Sequence, residues 1–395
     1  MAENHHKKRA IRVAIMGHRG IPCRYGGFET FAEQAALRFV RMGYDVRVYN
    51  RSHNGDYRRP RYKGAKMIYL PTVRNKYCDT WVHSLLCVLH AMIFRVDVIL
   101  MVNVGNAPFT LLPRLVGTPV VLNVDGLEWQ RRKWGRWARW YFLLCEKMAL
   151  VFPNTIVTDA QAIYDYYKQR YGKNSVMIPY GAEVKRKSNL KVLKKYGLTA
   201  GRYFLYVSRF EPENNALEVR EAFEDVHTNM PLVMVGDAPY AQEYVKSVRD
   251  TNDERIRFTG FVFGNDYKVL QQNAYAFIQA TEVGGTHPAL IEAMGYGNCV
   301  IVLNTPSNSE VAGNACMLFD QEEGDMQDLV RKLELVADNP SIVKYYRTKA
   351  QERIREMYAW DAVIIQYSEL FLSLLSKKMV NRIRATVSEV AHKSF

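Results

Sequence analysis

The stretch Ile11-Arg-Val-Ala-Ile-Met16-Gly17-His-Arg19-Gly20-Ile-Pro-Cys-Arg24-Tyr25-Gly26-Gly27-Phe-Glu29-Thr30 runs from an apolar segment through a glycine-rich turn into a helical pattern that continues to Arg41. It reads as strand, loop and helix, the opening unit of a parallel α/β sheet, and its loop offers backbone donors compatible with a phosphate. A dinucleotide site of the Gly-x-Gly-x-x-Gly kind needs its first two glycines one residue apart and an acid closing the second strand. Here two residues separate Gly17 from Gly20, and the second strand pattern, Asp45 to Tyr49, ends at Asn50. Nicotinamide binding is therefore not expected.

Outward from this unit the strand pattern keeps alternating with helix, the sign of doubly wound parallel sheets. Strands are expected at Lys66–Tyr69, Val98–Val102, Pro119–Leu122, Thr155–Val157 and Val176–Ile178, and again at Tyr203–Val207, Pro231–Val235, Ile256–Phe258, Ala276–Gln279 and Cys299–Leu303. The turn-rich run Pro179-Tyr-Gly181-Ala-Glu-Val-Lys divides the two series. The expected organisation is an α/β fold of two facing Rossmann-like domains, residues 1–182 and 183–357. Helices over 358–395 would return to the first domain. The length of 395 residues suits two cores.

In the second series, Glu282-Val-Gly284-Gly285-Thr286-His287-Pro-Ala-Leu-Ile-Glu292-Ala-Met-Gly-Tyr-Gly297 joins a glycine loop to a helix start. The N–H groups of Gly284, Gly285 and Thr286 would sit at the positive end of a helix dipole, where a diphosphate is favoured. Glu292, about two turns further on, accepts hydrogen bonds and could take both hydroxyls of a ribose. A glycine turn, a helix cap and a solvated glutamate fit the same letters.

Two further strings carry chemistry. Asn123-Val-Asp125-Gly-Leu-Glu128-Trp129 closes an apolar strand. A carboxylate at the end of such a strand lies where α/β sheets bind ligands, although Asp before Gly is also a common turn pairing. Phe204-Leu-Tyr-Val-Ser-Arg209-Phe-Glu-Pro-Glu-Asn214-Asn215 places a guanidinium directly after the first strand of the second series. Such a group suits a bidentate grip on phosphate.

Taken in order, these strings resemble the retaining glycosyltransferases of family 4, and the Gly-Gly-Thr-His-Pro string resembles a bacterial rhamnosyltransferase-like subgroup that builds capsule, O-antigen and exopolysaccharide. The resemblance implies the two-Rossmann GT-B architecture and transfer of a hexosyl unit, rhamnosyl above others, from a nucleotide-sugar to a lipid-diphosphate-linked saccharide. It assigns donor binding to Arg209, Asn214, Gly284, Gly285, Thr286, His287 and Glu292. It assigns catalysis to Asp125, Glu128 and Glu282, where a carboxylate could meet a sugar hydroxyl or oxocarbenium-like charge. It places Gly17, Arg19, Gly20, Arg24, Tyr25, Gly26, Gly27 and Glu29 in a loop on the acceptor side. Three positions depart from the family pattern: Gly284 stands where its first glutamate is usual, Asn214 where a lysine is usual, and Asp125 where a histidine is usual. No Asp-x-Asp occurs, so neither a metal nor a cofactor is expected. A sugar-nucleotide 2-epimerase on the same architecture is the alternative.

The charge is uneven. The whole of the net +14 arises in residues 1–182, with 28 Lys and Arg against 12 Asp and Glu; the remainder holds 26 against 28 and is slightly acidic. Within the basic half, Trp129-Gln-Arg-Arg132-Lys133-Trp134-Gly-Arg136-Trp137-Ala-Arg-Trp140-Tyr141 interleaves tryptophans with cations, as interfacial segments do. Arg132, Lys133, Trp134, Arg136 and Trp137 are the expected membrane contacts, with an anionic bilayer as partner; packing of these tryptophans into the core is the other outcome. The apolar run Trp81 to Phe94 is too short to span a bilayer. The N-terminus lacks the apolar stretch of a leader peptide, so a cytoplasmic protein on the inner face of the membrane is expected. Six cysteines without Cys-x-x-Cys spacing suggest reduced thiols. Nucleic acid is not an expected partner, since no helix-turn-helix, zinc or single-strand motif accompanies the basic charge.

Overall fold

A computed structural model describes residues 10–375 apart from 24–25, 54–57, 74, 76–77, 133, 185–189 and 323–324. Arg24 and Tyr25 of the glycine loop and Lys133 of the tryptophan segment therefore lie outside the described residues. Fourteen strands are present among them: β1 (Arg12–Met16), β2 (Asp45–Arg51), β3 (Arg61–Tyr62), β4 (Ala65–Leu70), β5 (Val98–Val102), β6 (Val120–Asn123), β7 (Thr155–Thr158), β8 (Val176–Met177), β9 (Phe204–Val207), β10 (Leu232–Val235), β11 (Ile256–Gly260), β12 (Ala276–Gln279), β13 (Cys299–Leu303) and β14 (Met317–Phe319). They form an eight-stranded sheet in the order β3-β4-β2-β1-β5-β6-β7-β8 and a six-stranded sheet in the order β11-β10-β9-β12-β13-β14. Both are of the doubly wound kind expected.

Every strand named in the sequence is found, within two residues at either end. Two further short strands are present, β3, which no apolar run announced, and β14, which lies in the short apolar run Ala315 to Phe319. β3 pairs antiparallel with β4 through a turn in which Lys63 and Gly64 both take positive φ, 45° and 96°. That is the turn whose twist matches a two-residue hairpin. β14 supplies only Met317 to Phe319 to the edge of the second sheet.

The chain divides into two compact units, one of residues 1–124, 141–157 and 361–395, the other of 125–140 and 158–360. In the first, β1, β5 and β6 are buried along their lengths save for Arg12, because helices cover both faces of a parallel sheet. The closing helix Trp360–Leu374 joins this unit from Asp361 onward. Asp361 pairs with Arg38 at 2.7 Å, Tyr367 accepts from Asn123 at 2.8 Å, and Phe371 meets Phe39 at 5.2 Å between ring centroids. In the second unit, Phe204, Tyr206, Phe223, Met234, Ile278 and Ile301 are among the side chains that fill a single apolar core. Residues 125–140 and 158–182, assigned by the sequence reading to the first domain, group here with the second unit.

Strand order turns back on itself twice. β2 and β5 flank β1 in the first sheet; β10 and β12 flank β9 in the second. Ligands of such sheets bind outside the C-terminal ends of the strands at these reversals. The Gly17 loop leaves β1, the Arg209 turn leaves β9 and the Gly284 loop follows β12.

Candidate active site

The turn after β9 is built around asparagines. Asn214 donates from Nδ2 to the carbonyl of Arg209 at 2.8 Å, and Tyr206 donates its hydroxyl to the carbonyl of Asn214 at 2.7 Å. The side-chain amide that takes the place of the family's lysine thus holds the turn's own backbone. Asn215, at φ +58°, donates to the carbonyl of Ala280 at 2.9 Å and to Glu282 Oε1 at 3.1 Å, which ties the turn after β9 to the loop after β12. Arg209 is partly exposed and lies 3.4 Å from both oxygens of Glu211.

Glu282 lies at the mouth of the glycine loop and receives Arg132 Nη2 at 2.9 and 3.2 Å. Beyond it the glycines are required by close approach. A Cβ on Gly284 would stand 2.5 Å from the His287 ring, one on Gly126 would stand 2.7 Å from the Cα of Gly284, and one on Gly285 would stand 2.0 Å from Asp159 Oδ1. The loops carrying Asp125 and Gly284 therefore touch backbone to backbone. A glutamate at 284 would not fit between them.

Thr286, whose N–H was expected to face a phosphate, donates it to Asp159 Oδ2 at 2.8 Å, and its hydroxyl donates to the Asp159 carbonyl. The helix Pro288–Gly295 begins just after, with proline at its first position, where no N–H is needed. On that helix Glu292 accepts from Tyr267 at 2.7 Å. Burial raises its carboxyl above the usual range, partly offset by that hydrogen bond. His287 is neutral: burial, then the nearby Arg131, lowers it to about 4.

Asp125 occupies the left-handed region at φ +57°, a conformation that costs a non-glycine residue. Burial pushes its carboxyl up to about 6, against the pull of Arg131 and with the push of Glu128. Glu128 is buried, receives Arg131 Nε at 2.7 Å on one oxygen and the Trp134 indole N–H at 3.3 Å on the other. It is an anchor for its own turn. Arg131 also lies 4.0 Å from the fully buried Glu213.

The second unit thus brings together Asp125, Glu128, Arg209, Asn214, Glu282 and Gly284 to His287. The loop from Gly17 to Gly27 belongs to the first unit. There Arg19 N–H donates to Glu29 at 2.8 Å, Cys23 N–H to Glu33 at 2.7 Å and Ile21 N–H to Asn50 at 2.8 Å. Gly17, at φ +96°, lets β1 approach β5 so closely that a Cβ would stand 2.3 Å from the Val102 carbonyl. Glu29 is buried, its carboxyl raised by burial, so it shapes the loop.

Of the expected membrane residues, Arg132 and Trp134 turn toward Glu282 and Glu128, while Trp137 and its neighbour Trp140 are 86% and 62% exposed. They are not core residues. Four positions that proved central were missed in the sequence: Arg131, Asp159, Asn215 and Tyr267. Asp159 alone carried a usable signal, as an acid immediately beyond the C-terminal end of a parallel strand.

Comparison with known proteins bears on the domains and the fold. Residues 26–181 match the glycosyl transferase 4-like domain, and residues 191–356 match the glycosyl transferases group 1. O-antigen chain mannosyltransferase B of Escherichia coli is 28% identical over 142 residues, which is 34% of this chain and 37% of that protein. The chain thus spans little more than a third of that relative's length. The solved structure of sucrose-phosphate synthase from Thermosynechococcus elongatus superposes with a TM-score of 0.76 at 15% identity, covering 93% of this chain and 99% of that one. HepE of Anabaena in complex with UDP-glucose gives 0.71 at 14% identity, covering 92% and 100%. With one family model on each half and the two parallel sheets those structures share, the chain belongs to the GT-B glycosyltransferases, a glycosyl transferase 4-like domain followed by a group 1 domain.

Proposed function

We propose that the protein is a retaining, metal-independent transferase that moves a hexosyl unit, rhamnosyl in our reading, from a nucleotide-sugar to a lipid-diphosphate-linked saccharide in bacterial surface polysaccharide synthesis. The observation that carries this reading is the meeting of Asp125, the Gly284–Gly285 loop and the Arg209 turn at the strand reversal of the second sheet. The UDP-glucose complex of HepE supports a nucleotide-sugar donor, and the O-antigen mannosyltransferase supports a hexose and a polysaccharide product. Glu292 would hold the ribose, with the diphosphate on Arg209 and the N–H groups of Gly284 and Gly285. In the transfer step the bond from the anomeric carbon to the phosphate oxygen breaks, the bond to the acceptor oxygen forms on the same face, and the acceptor's proton passes to the leaving phosphate.

Exposed apolar side chains support a membrane-borne acceptor. On the helix Asp79–Ile93 one face, with His83, Cys87 and Val88, is buried, whereas Trp81, Leu85, Leu89 and Ile93 are exposed. Among the described residues no helix is long and apolar enough to cross a membrane, so contact would be interfacial. The deciding experiment is a panel of sugar nucleotides scored by thermal shift, followed by turnover with a lipid-diphosphate saccharide. Stabilisation by one donor and transfer only with acceptor present is expected; conversion of the sugar nucleotide alone to its epimer would reject the transferase reading.

A further inference from the structure

Asp159 follows β7 and is fully buried. Its Oδ2 and its backbone carbonyl are both taken by Thr286, but Oδ1 is buried with no donor. Gly285 leaves the space this carboxyl fills. The group within hydrogen-bonding reach of Asp159 is the carboxyl of Asp125. Two ionised carboxylates are acceptors only, so such a pair is joined by a proton or repels.

The charged groups around the pair favour the proton. Arg131 is the cation that faces Asp125, and it is already paired with Glu128 on its own segment and near Glu213, Glu211 and Arg209 from the turn after β9. From the glycine loop come the Thr286 N–H and a neutral His287. Burial raises both aspartates, Asp125 to about 6 and Asp159 well above its ordinary value, with the Coulombic push of Asp125 second for Asp159.

We infer that Asp125 and Asp159 share one proton, and that Asp159 is a positioning residue which carries it and donates it to Asp125, leaving Asp125 an ionised acceptor beside the glycine loop. Resting on the transferase reading, this makes Asp125 a carboxylate that accepts from a donor-sugar hydroxyl, while the pair keeps a single negative charge close to the developing oxocarbenium. The shared proton itself does not depend on which reaction the site performs.

Infrared spectra of the intact protein in D2O test it directly. The difference between wild type and Asp159→Asn near neutral pH should contain a protonated-carboxyl C=O band, and the difference between wild type and Asp125→Asn should contain the same band. The band should disappear from wild type as pH rises. Its absence from both differences overturns the inference, whatever the turnover. Each variant approaches the pair from one side and keeps an amide able to donate to the remaining carboxylate, so failure of one to fold leaves the other decisive. In donor turnover, wild-type kcat should fall about tenfold per pH unit above the pair's upper ionisation. Asp159→Asn should lose that limb with little change in donor KM; an unchanged limb overturns the positioning role. A band without any sugar-nucleotide turnover would uphold the shared proton and sink the transferase reading instead.

Discussion

Glu292 and Arg209 were legible as single residues, but the structure changes what each can do. Glu292 is already bonded through Oε2 to Tyr267, so under the proposed role one carboxylate oxygen would be fixed before a ribose arrives. Preorganisation of this kind sharpens a binding contact. Glu292→Ala should weaken donor affinity by about 2–4 kcal/mol, the range for charged hydrogen bonds lost in a closed site. Calorimetric titration with the donor checks it, and affinity equal to wild type would remove Glu292 from the site. Arg209 has Glu211 beside it and Asn214 committed to the turn, so no lysine shares its load at that position. Arg209→Lys keeps the charge but loses the planar fork. Its kcat/KM should drop by more than about tenfold, equivalent to roughly 1.4 kcal/mol; wild-type turnover would mean that the diphosphate is held elsewhere.

Among the elements, the glycines decide the site. Gly126 and Gly284 meet at a distance no side chain allows, and Gly285 leaves room for a buried carboxyl. A methyl placed 2.7 Å from a backbone carbon must push one loop away from the other. Gly126→Ala should therefore destabilise the second unit by about 1–3 kcal/mol, the range for overpacking, and weaken donor binding along with it. Thermal melts with and without donor separate the two effects. Wild-type values in both would mean that the Asp125 and Gly284 loops do not pack. These glycines were visible in the sequence as turn residues, whereas their partners were not, because the approach of two loops far apart in the chain leaves no local period to read.

For the whole molecule, the basic half and the exposed tryptophans make a prediction about location. Trp137 and Trp140 point outward with Arg136 and Arg139 exposed beside them. Each cation near an anionic surface contributes roughly 1 kcal/mol at low salt, fading over a Debye length of about 10 Å. Vesicles containing phosphatidylglycerol should co-sediment the protein at low salt and release it at high salt. Trp137→Ala with Trp140→Ala should weaken the binding at every salt concentration, because it removes the apolar component. Equal binding to neutral vesicles, or none to anionic ones, would reject the membrane reading. Arg132 is a poorer probe than expected, since its guanidinium is turned to Glu282.

The sequence by itself determined the alternation of strands and helices, the two parallel sheets and the loops that leave β1, β9 and β12. Hydrophobic period and glycine placement are local properties, written in neighbouring letters. It also named Asp125, Arg209, Glu282 and the Gly284 loop, because chemistry in an α/β sheet gathers at strand ends. Only the tertiary structure decided what those residues touch. Asp159 against Thr286 and Asp125, Asn215 across to Glu282, Arg132 on Glu282 and Tyr267 on Glu292 are contacts between segments distant along the chain. The short strand β3 escaped for the same reason, since Arg61 and Tyr62 carry no apolar run and form a strand only where β4 offers its edge.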